Sequence, residues 1–149
     1  MALVLNDDQR MLKQTAAEFM REQAPVSRVR QLRDSEDELG FSRELWGRMA
    51  ELGWTAIPIA EEYGGLGMGM LEMACVLEEC GRVLAPEPLV SSVLLGGGAI
   101  AACGREEQKQ ELLPRVADGS LLVALAYHER GTRYDVGAVS TRVEETGGG

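Results

Sequence analysis

Apolar positions recur at helical spacing through most of the chain and change to a two-residue alternation near its end. Leu12, Ala16, Phe19 and Met20 share one helical face. Asn6 and Gln9 have the spacing of a capping box just before that stripe. Asp7 and Asp8 lie in the first turn, where unpaired backbone N–H groups favour negative charge. Pro25 ends the run, because the residue before a proline is pushed out of helical geometry. Val26 to Leu39 is densely charged, and its acidic run Asp34 to Glu38 reads as a solvated connection. A second helix is predicted with Ser42 as N-cap, Leu45, Met49 and Leu52 as its buried stripe and Gly53 just past its end. Phe41 and Trp46 are placed to staple its start.

The segment WTAIPIA that follows is too short and too proline-marked for another helix, and reads as an extended crossing over the core. In EEYGGLGMG, Gly64, Gly65, Gly67 and Gly69 predict a structural turn or hinge. Their spacing and context do not fit a GxGxxG dinucleotide loop. From Met70 to Leu84, Glu72, Glu78, Glu79 and Arg82 occupy about a third of the helical wheel, leaving the rest for burial in a central helix. Cys75 falls inside that polar sector. Leu89 to Cys103 carries no charge and suits a buried helix, in which Gly96, Gly97 and Gly98 allow a close neighbour or a local break. Gly104 caps it. The next helix has Leu112, Leu113 and Val116 inward, is interrupted at Pro114 and stops at Gly119.

The pattern then changes. Leu121, Val123, Leu125 and Tyr127 face one way in a strand, and Leu122, Ala124, Ala126 and His128 the other. The second face becomes shallow towards its end. It could admit a flat ring or another packed backbone, and spacing leaves both open. Val139, Thr141 and Val143 mark a further strand face, yet two strands are marginal alone. The fold class expected is therefore mostly α: a helical bundle of five helices over residues 1–119, followed by the truncated start of a β domain over 120–149.

Composition narrows the function classes. A chain of 149 residues can form one ordinary domain. Its net charge of −9 argues against a general nucleic-acid or anionic-membrane surface. No segment is long and apolar enough for a membrane span, and Met1 to Arg10 lacks the character of a secretion signal, so a cytoplasmic protein is expected. Cys75, Cys80 and Cys103 form no CxxC and read as reduced structural residues. With His128 as the only histidine, no zinc set of recognisable spacing can be assembled. Trp46 and Trp54 read as core or interface aromatics, and Arg130, Arg133 and Arg142 as surface charges.

Four stretches in this order resemble the acyl-CoA dehydrogenase family: LNDDQRMLKQTAAEFMREQAP, ELWGRMAELGW, IAEEYGGLGMGMLEMACVLEECGR and GREEQKQELLPRVADGS. The resemblance implies an N-terminal helical domain followed by the opening of a middle β domain, in a protein that binds FAD and an acyl-CoA. It implies α,β-dehydrogenation of the thioester, electrons leaving through an electron-transfer flavoprotein, and a homo- or hetero-tetramer. The family's glutamate base lies in its C-terminal domain, so no carboxylate here is nominated as catalytic. Glu61, Glu62, Glu72, Glu78 and Glu79 read instead as solvated faces.

The family's motif, close to TEPxAGSD, aligns with residues 128–135, HERGTRYD, of which Glu129, Gly131 and Asp135 match. His128 stands where a threonine reaches the flavin, and Tyr127 lies one step before, so these two are the cofactor-binding candidates. Arg133 and Tyr134 replace the Gly and Ser that approach substrate and cofactor, and are the substrate-binding candidates. That departure resembles the small subunit of heteromeric pimeloyl-CoA and steroid side-chain acyl-CoA dehydrogenases. A non-catalytic partner subunit or interaction domain, and an acyl-CoA oxidase or flavin monooxygenase on the same fold, are the alternatives.

Overall fold

In the computed structural model, residues 4–129, 131 and 135–144 are described. Helix α1 spans Asp7–Gln23 and starts at the expected capping box. Gln9 N donates to Asn6 Oδ1 at 2.8 Å, and Asn6 N donates to Gln9 Oε1 at 3.0 Å. The Gln9 amide group also donates to Glu72 Oε1 at 2.7 Å, and Glu72 Oε2 accepts from Gly69 N at 3.0 Å, at the start of helix α4, Met70–Arg82. The first turns of the two helices are thus one hydrogen-bonded cluster. Ala16 and Met20 of α1 join Met73, Val76 and Cys80 of α4 in the core.

Charges run along this seam, and two expectations for α4 are corrected there. Glu79 is buried rather than solvated, held between Lys13 at 3.8 Å and Arg82 at 3.2 Å, while Glu78 pairs with both cations. Cys75 is buried too, so the polar sector does not keep it in water. The reason is that α1 covers part of that sector and supplies Lys13 as a partner for the carboxylates.

Val26 to Asp34 is a helix, α2, which was not among the five expected. It buries no residue fully, which is why no apolar period announces it. Its anchor is ionic: the Arg28 guanidinium donates to both Glu87 carboxylate oxygens, at 2.8 and 2.9 Å, and the Glu87 side chain has no exposure to solvent. Glu87 Oε1 also accepts from Ser42 N at 3.2 Å, tying in the start of helix α3, Arg43–Glu51. The acidic run after α2 is solvated as expected, with Asp37 Oδ1 closing a turn onto the N–H groups of Leu39 and Gly40.

Ser42 caps α3 as read, and Leu45, Trp46 and Met49 are buried. Leu52 is not; at the C-cap it leaves the buried face and is 43% exposed. The crossing from Trp54 to Ile59 is buried, but it is built of successive turns rather than extended chain. Ala56 N donates to Gly53 O and Ile59 N to Ala56 O, both at 3.1 Å. A lone extended segment in a core would leave its polar backbone unpaired, and the turns satisfy it locally. Thr55 Oγ1 completes the pairing by donating to Ala117 O at 2.6 Å.

The glycine-rich loop folds back on that crossing. Gly67 N donates to Ile59 O at 2.7 Å and Met68 N to Ile57 O at 2.9 Å. Leu89 to Cys103 is two elements, a π-helix, Leu89–Gly97, and helix α5, Gly98–Cys103; Gly97 and Gly98 keep helical backbone angles, so the winding changes there without a break. It is only half-buried, since Val90 and Leu95 are exposed. Helix α6, Glu106–Ala117, runs through Pro114 without the expected interruption. A proline forfeits one N–H and crowds one carbonyl, and burial of Leu113, Val116 and Ala117 on either side outweighs that here. Gly119, at φ +75°, ends the helix, and its carbonyl accepts from Trp46 Nε1 at 2.8 Å.

The architecture is therefore the helical bundle expected, with α2 added. Among the described residues no strand is formed, either at Leu121 to Tyr127 or at Val139 to Val143. A strand needs a hydrogen-bonded neighbour, and neither segment has one among the described residues.

Candidate functional site

The floor of the candidate site is the buried side of the π-helix, where Ser92 and Gly96 lie beneath the segment leaving α6. Leu121 N donates to Arg115 O at 2.9 Å, and Val123 N donates to Ser92 Oγ at 3.0 Å. Leu121, Leu122 and Val123 pack on the core. Beyond them the chain emerges: Ala124 to His128 are exposed, with Tyr127 half in solvent. From Ala124 to His128 no difference in depth between two faces is formed, because among the described residues the core covers only Leu121 to Val123 of this segment.

Tyr127 and His128 come together at this end, with ring centroids 4.8 Å apart and planes tilted by 33°. Among the described residues, the backbone of Ala124 to His128 makes no hydrogen bond. Small side chains at Ala124 and Ala126, two adjacent rings and unpaired backbone groups form an accessible strip that could receive a flat, hydrogen-bonding ring. Arg133 and Tyr134, with Arg130, lie outside the described residues.

Glu129 matched the family motif in sequence but had no role assigned to it. Its carboxylate accepts from Ser140 N at 2.7 Å, Thr141 N at 3.0 Å and the Ser140 hydroxyl, closing the loop that follows the two rings. Only a Ser-Thr pair after a glycine could have hinted at this, and that pattern is common in turns. Hydrogen bonding by the Ser140 hydroxyl, then by Thr141 and both backbone N–H groups, holds the carboxyl well below its ordinary 4.5, at about 2. A value depressed by folding means the clasp contributes fully above about pH 4.5 and is lost as pH falls through about 2. The Ser140 and Thr141 amide resonances are thus expected to titrate with a midpoint near 2, and not at all in Glu129→Gln. A midpoint at 4.5 in the native chain would exclude the clasp.

A second concavity, of about 590 Å³, lies between α1 and the glycine-rich loop. Met11, Leu12, Leu52, Leu66 and Met68 make it apolar, and the Gln9–Glu72 cluster closes one end. It shares no lining residue with the segment from Leu121 to Glu129. Among the described residues no cluster of His, Cys, Asp and Glu could hold a metal ion, and no helix is long and apolar enough to cross a membrane. Burial, and then the nearby Glu87 carboxylate, push the Cys80 thiol up to about 12, so it is no nucleophile.

Comparison with known proteins agrees with the helical fold. The family described as "Acyl-CoA dehydrogenase, N-terminal domain" matches residues 6–120. Bovine mitochondrial isovaleryl-CoA dehydrogenase is 34% identical over 96% of the chain and 34% of its own length. An acyl-CoA dehydrogenase of Mycobacterium tuberculosis is 38% identical over 69% of the chain and 26% of its own length. Among solved structures, the ChsE4–ChsE5 complex from Mycobacterium tuberculosis superposes with TM-score 0.77 at 28% identity, over 88% of this chain and 36% of that one. The Bacillus anthracis acyl-CoA dehydrogenase complexed with FAD gives 0.77 at 26% identity, over 91% and 23%. The chain spans about a third of the length of the curated relatives it matches. With the helical bundle, its order of elements and these likenesses in agreement, the chain belongs to the acyl-CoA dehydrogenase family.

Proposed function

We propose that this chain is the N-terminal part of an FAD-dependent acyl-CoA dehydrogenase subunit, which acts in the α,β-dehydrogenation of an acyl-CoA thioester. The observation that carries the reading is the strip from Ala124 to His128, where exposed rings and a backbone unbonded among the described residues sit at the edge of a helical domain of this family. FAD, when bound, supplies acceptance of a hydride from the substrate. Tyr127 offers backbone groups and an aromatic edge to the flavin, and His128 an imidazole that can donate a hydrogen bond to it. Arg133 and Tyr134 are proposed to meet the acyl-CoA, the arginine pairing with a phosphate. Residues 120–149 open a second, β-rich domain in this reading. The electron acceptor is an electron-transfer flavoprotein, and the assembly is a homo- or hetero-tetramer in the cytoplasm.

The protein containing this chain, expressed whole, is expected to purify yellow and to dehydrogenate an acyl-CoA. His128→Ala is expected to weaken flavin binding about tenfold, the scale of one lost hydrogen bond to a ring held in a partly dry site. Whole protein that carries no flavin, alone and with its genetic neighbour, would refute the reading. A second reading is favoured by the bulk of Arg133 and Tyr134 where the family motif has Gly and Ser. In it the chain belongs to the smaller, non-equivalent subunit of a heteromeric enzyme, and flavin is retained only when the neighbour is co-expressed.

A further inference from the structure

We infer that Ser92 and Gly96, on the π-helix, act together as a register pin that decides which side chains of the following segment reach the candidate cofactor strip. The role assigned to the strip rests on the reading just proposed for Tyr127 and His128; the pin itself rests on geometry alone.

Both residues meet Val123. Ser92 is 1% exposed, and its hydroxyl oxygen accepts the Val123 N–H at 3.0 Å. Gly96 is buried directly below: a Cβ built there would lie 3.0 Å from the Val123 carbonyl oxygen and overlap the Val123 side chain. One contact is a directional bond and the other is a steric fit that only glycine permits, and both act on the same residue. The platform is a π-helix of nine residues, a rare element in which the wider turn often marks a functional site.

The bonding of the segment shows why register matters. Leu121 N is bonded to Arg115 O at the end of α6 and Val123 N to Ser92 Oγ of the π-helix, while among the described residues Leu122 N and the N–H groups from Ala124 to His128 are not bonded. Where a chain runs extended, successive side chains point to opposite sides, and a slip of one residue transfers each of them to the other side. Without the pin, a slip would exchange Tyr127 with Ala126 or His128 on the side that faces a ligand. Neither Ser92 nor Gly96 lies on the exposed strip, so both are positioning residues.

The test compares the native chain with Ser92→Ala, which removes the acceptor without adding bulk, and with Ser92→Thr, which restores it. In the labelled 149-residue chain, proton contacts between the Gly96 Cα and the Val123 methyls are expected to be strong in the native form. They should fall at least about twofold in Ser92→Ala, with new contacts to Leu122 or Ala124, and return in Ser92→Thr. The resonances of α1 and α4 serve as the folding control. Unchanged Gly96–Val123 contacts in a folded Ser92→Ala chain would overturn the pin. In the flavin-loaded whole protein, Ser92→Ala is expected to raise the flavin Kd about tenfold and to shift the flavin absorption bands at unchanged helix content. An unaltered flavin spectrum beside lost Gly96–Val123 contacts would overturn the link between pin and strip. Native whole protein that binds no flavin would instead defeat the functional reading, and the proton contacts would still decide the pin.

Discussion

Replacing Glu87 by alanine is expected to lower the stability of the chain by about 3–5 kcal/mol, the usual cost of leaving a buried charge without its partner. The Glu87 side chain has no solvent exposure and Arg28 has only 17%, so water cannot take over. Their pairing is bidentate, and the same carboxylate receives Ser42 N. One substitution therefore strands a guanidinium, frees the backbone N–H that begins α3 and cuts the anchor of a helix with no fully buried residue. Chemical denaturation should show the loss in the transition midpoint. Arg28→Met together with Glu87→Leu should recover much of it, because removing both charges spares the desolvation that one survivor would suffer. A single Glu87→Ala within about 0.5 kcal/mol of the native chain would show that the pair carries no weight.

Gly65→Ala is expected to be the second severe change, costing at least about 1–3 kcal/mol as overpacking against an unyielding wall. A Cβ on Gly65 would overlap the carbonyl of Ile59, and that wall is backbone, not a side chain that can rotate away. Ile59 O is occupied by Gly67 N at 2.7 Å, and Gly65 N is itself bonded to Ala60 O at 3.1 Å. Any shift must therefore break the fold-back that places Leu66 and Met68 beside the 590 Å³ groove. Both stability and the shape of the groove should suffer, read as a lower melting temperature and weaker fluorescence of an apolar dye bound there. Gly64→Ala provides the contrast: no atom stands within 4 Å of its Cβ, and only its left-handed φ of +79° opposes the substitution.

These two sites show what the chain discloses through its letters alone and what it withholds. The capping pairs Asn6–Gln9 and Ser42–Leu45, the stop at Gly119 and the core roles of Trp46 and Trp54 were legible because each depends on neighbours in sequence. Helix α2 was not, since its anchor Glu87 is distant in sequence and leaves no periodic mark. Cys75 and Glu79 were misplaced for a related reason: the wheel shows where charges fall on α4 but not that Lys13 of α1 will cover them. The turns at 54–59 look like any short apolar run, and their pairing with the glycine-rich loop is a tertiary event. At the candidate site the strand alternation read from Leu121 to His128 is not formed, because among the described residues no neighbouring strand is there to pair with it. The Ser92 acceptor and the Glu129 clasp could not be read, because each joins residues 11 or more positions apart.

The shared cluster at the first turns of α1 and α4 has a consequence for biosynthesis. Glu72 and the apolar face that shelters Ala16 and Met20 emerge from the ribosome only after α1 has been made, with roughly 60 residues separating the ends of the two helices. At ordinary translation speeds of about 5–20 residues per second, the nascent α1 waits on the order of 3–12 s for its mate. A helix of this length is barely stable by itself in water, so during that interval its sticky stripe is a natural target for a chaperone acting on the growing polypeptide.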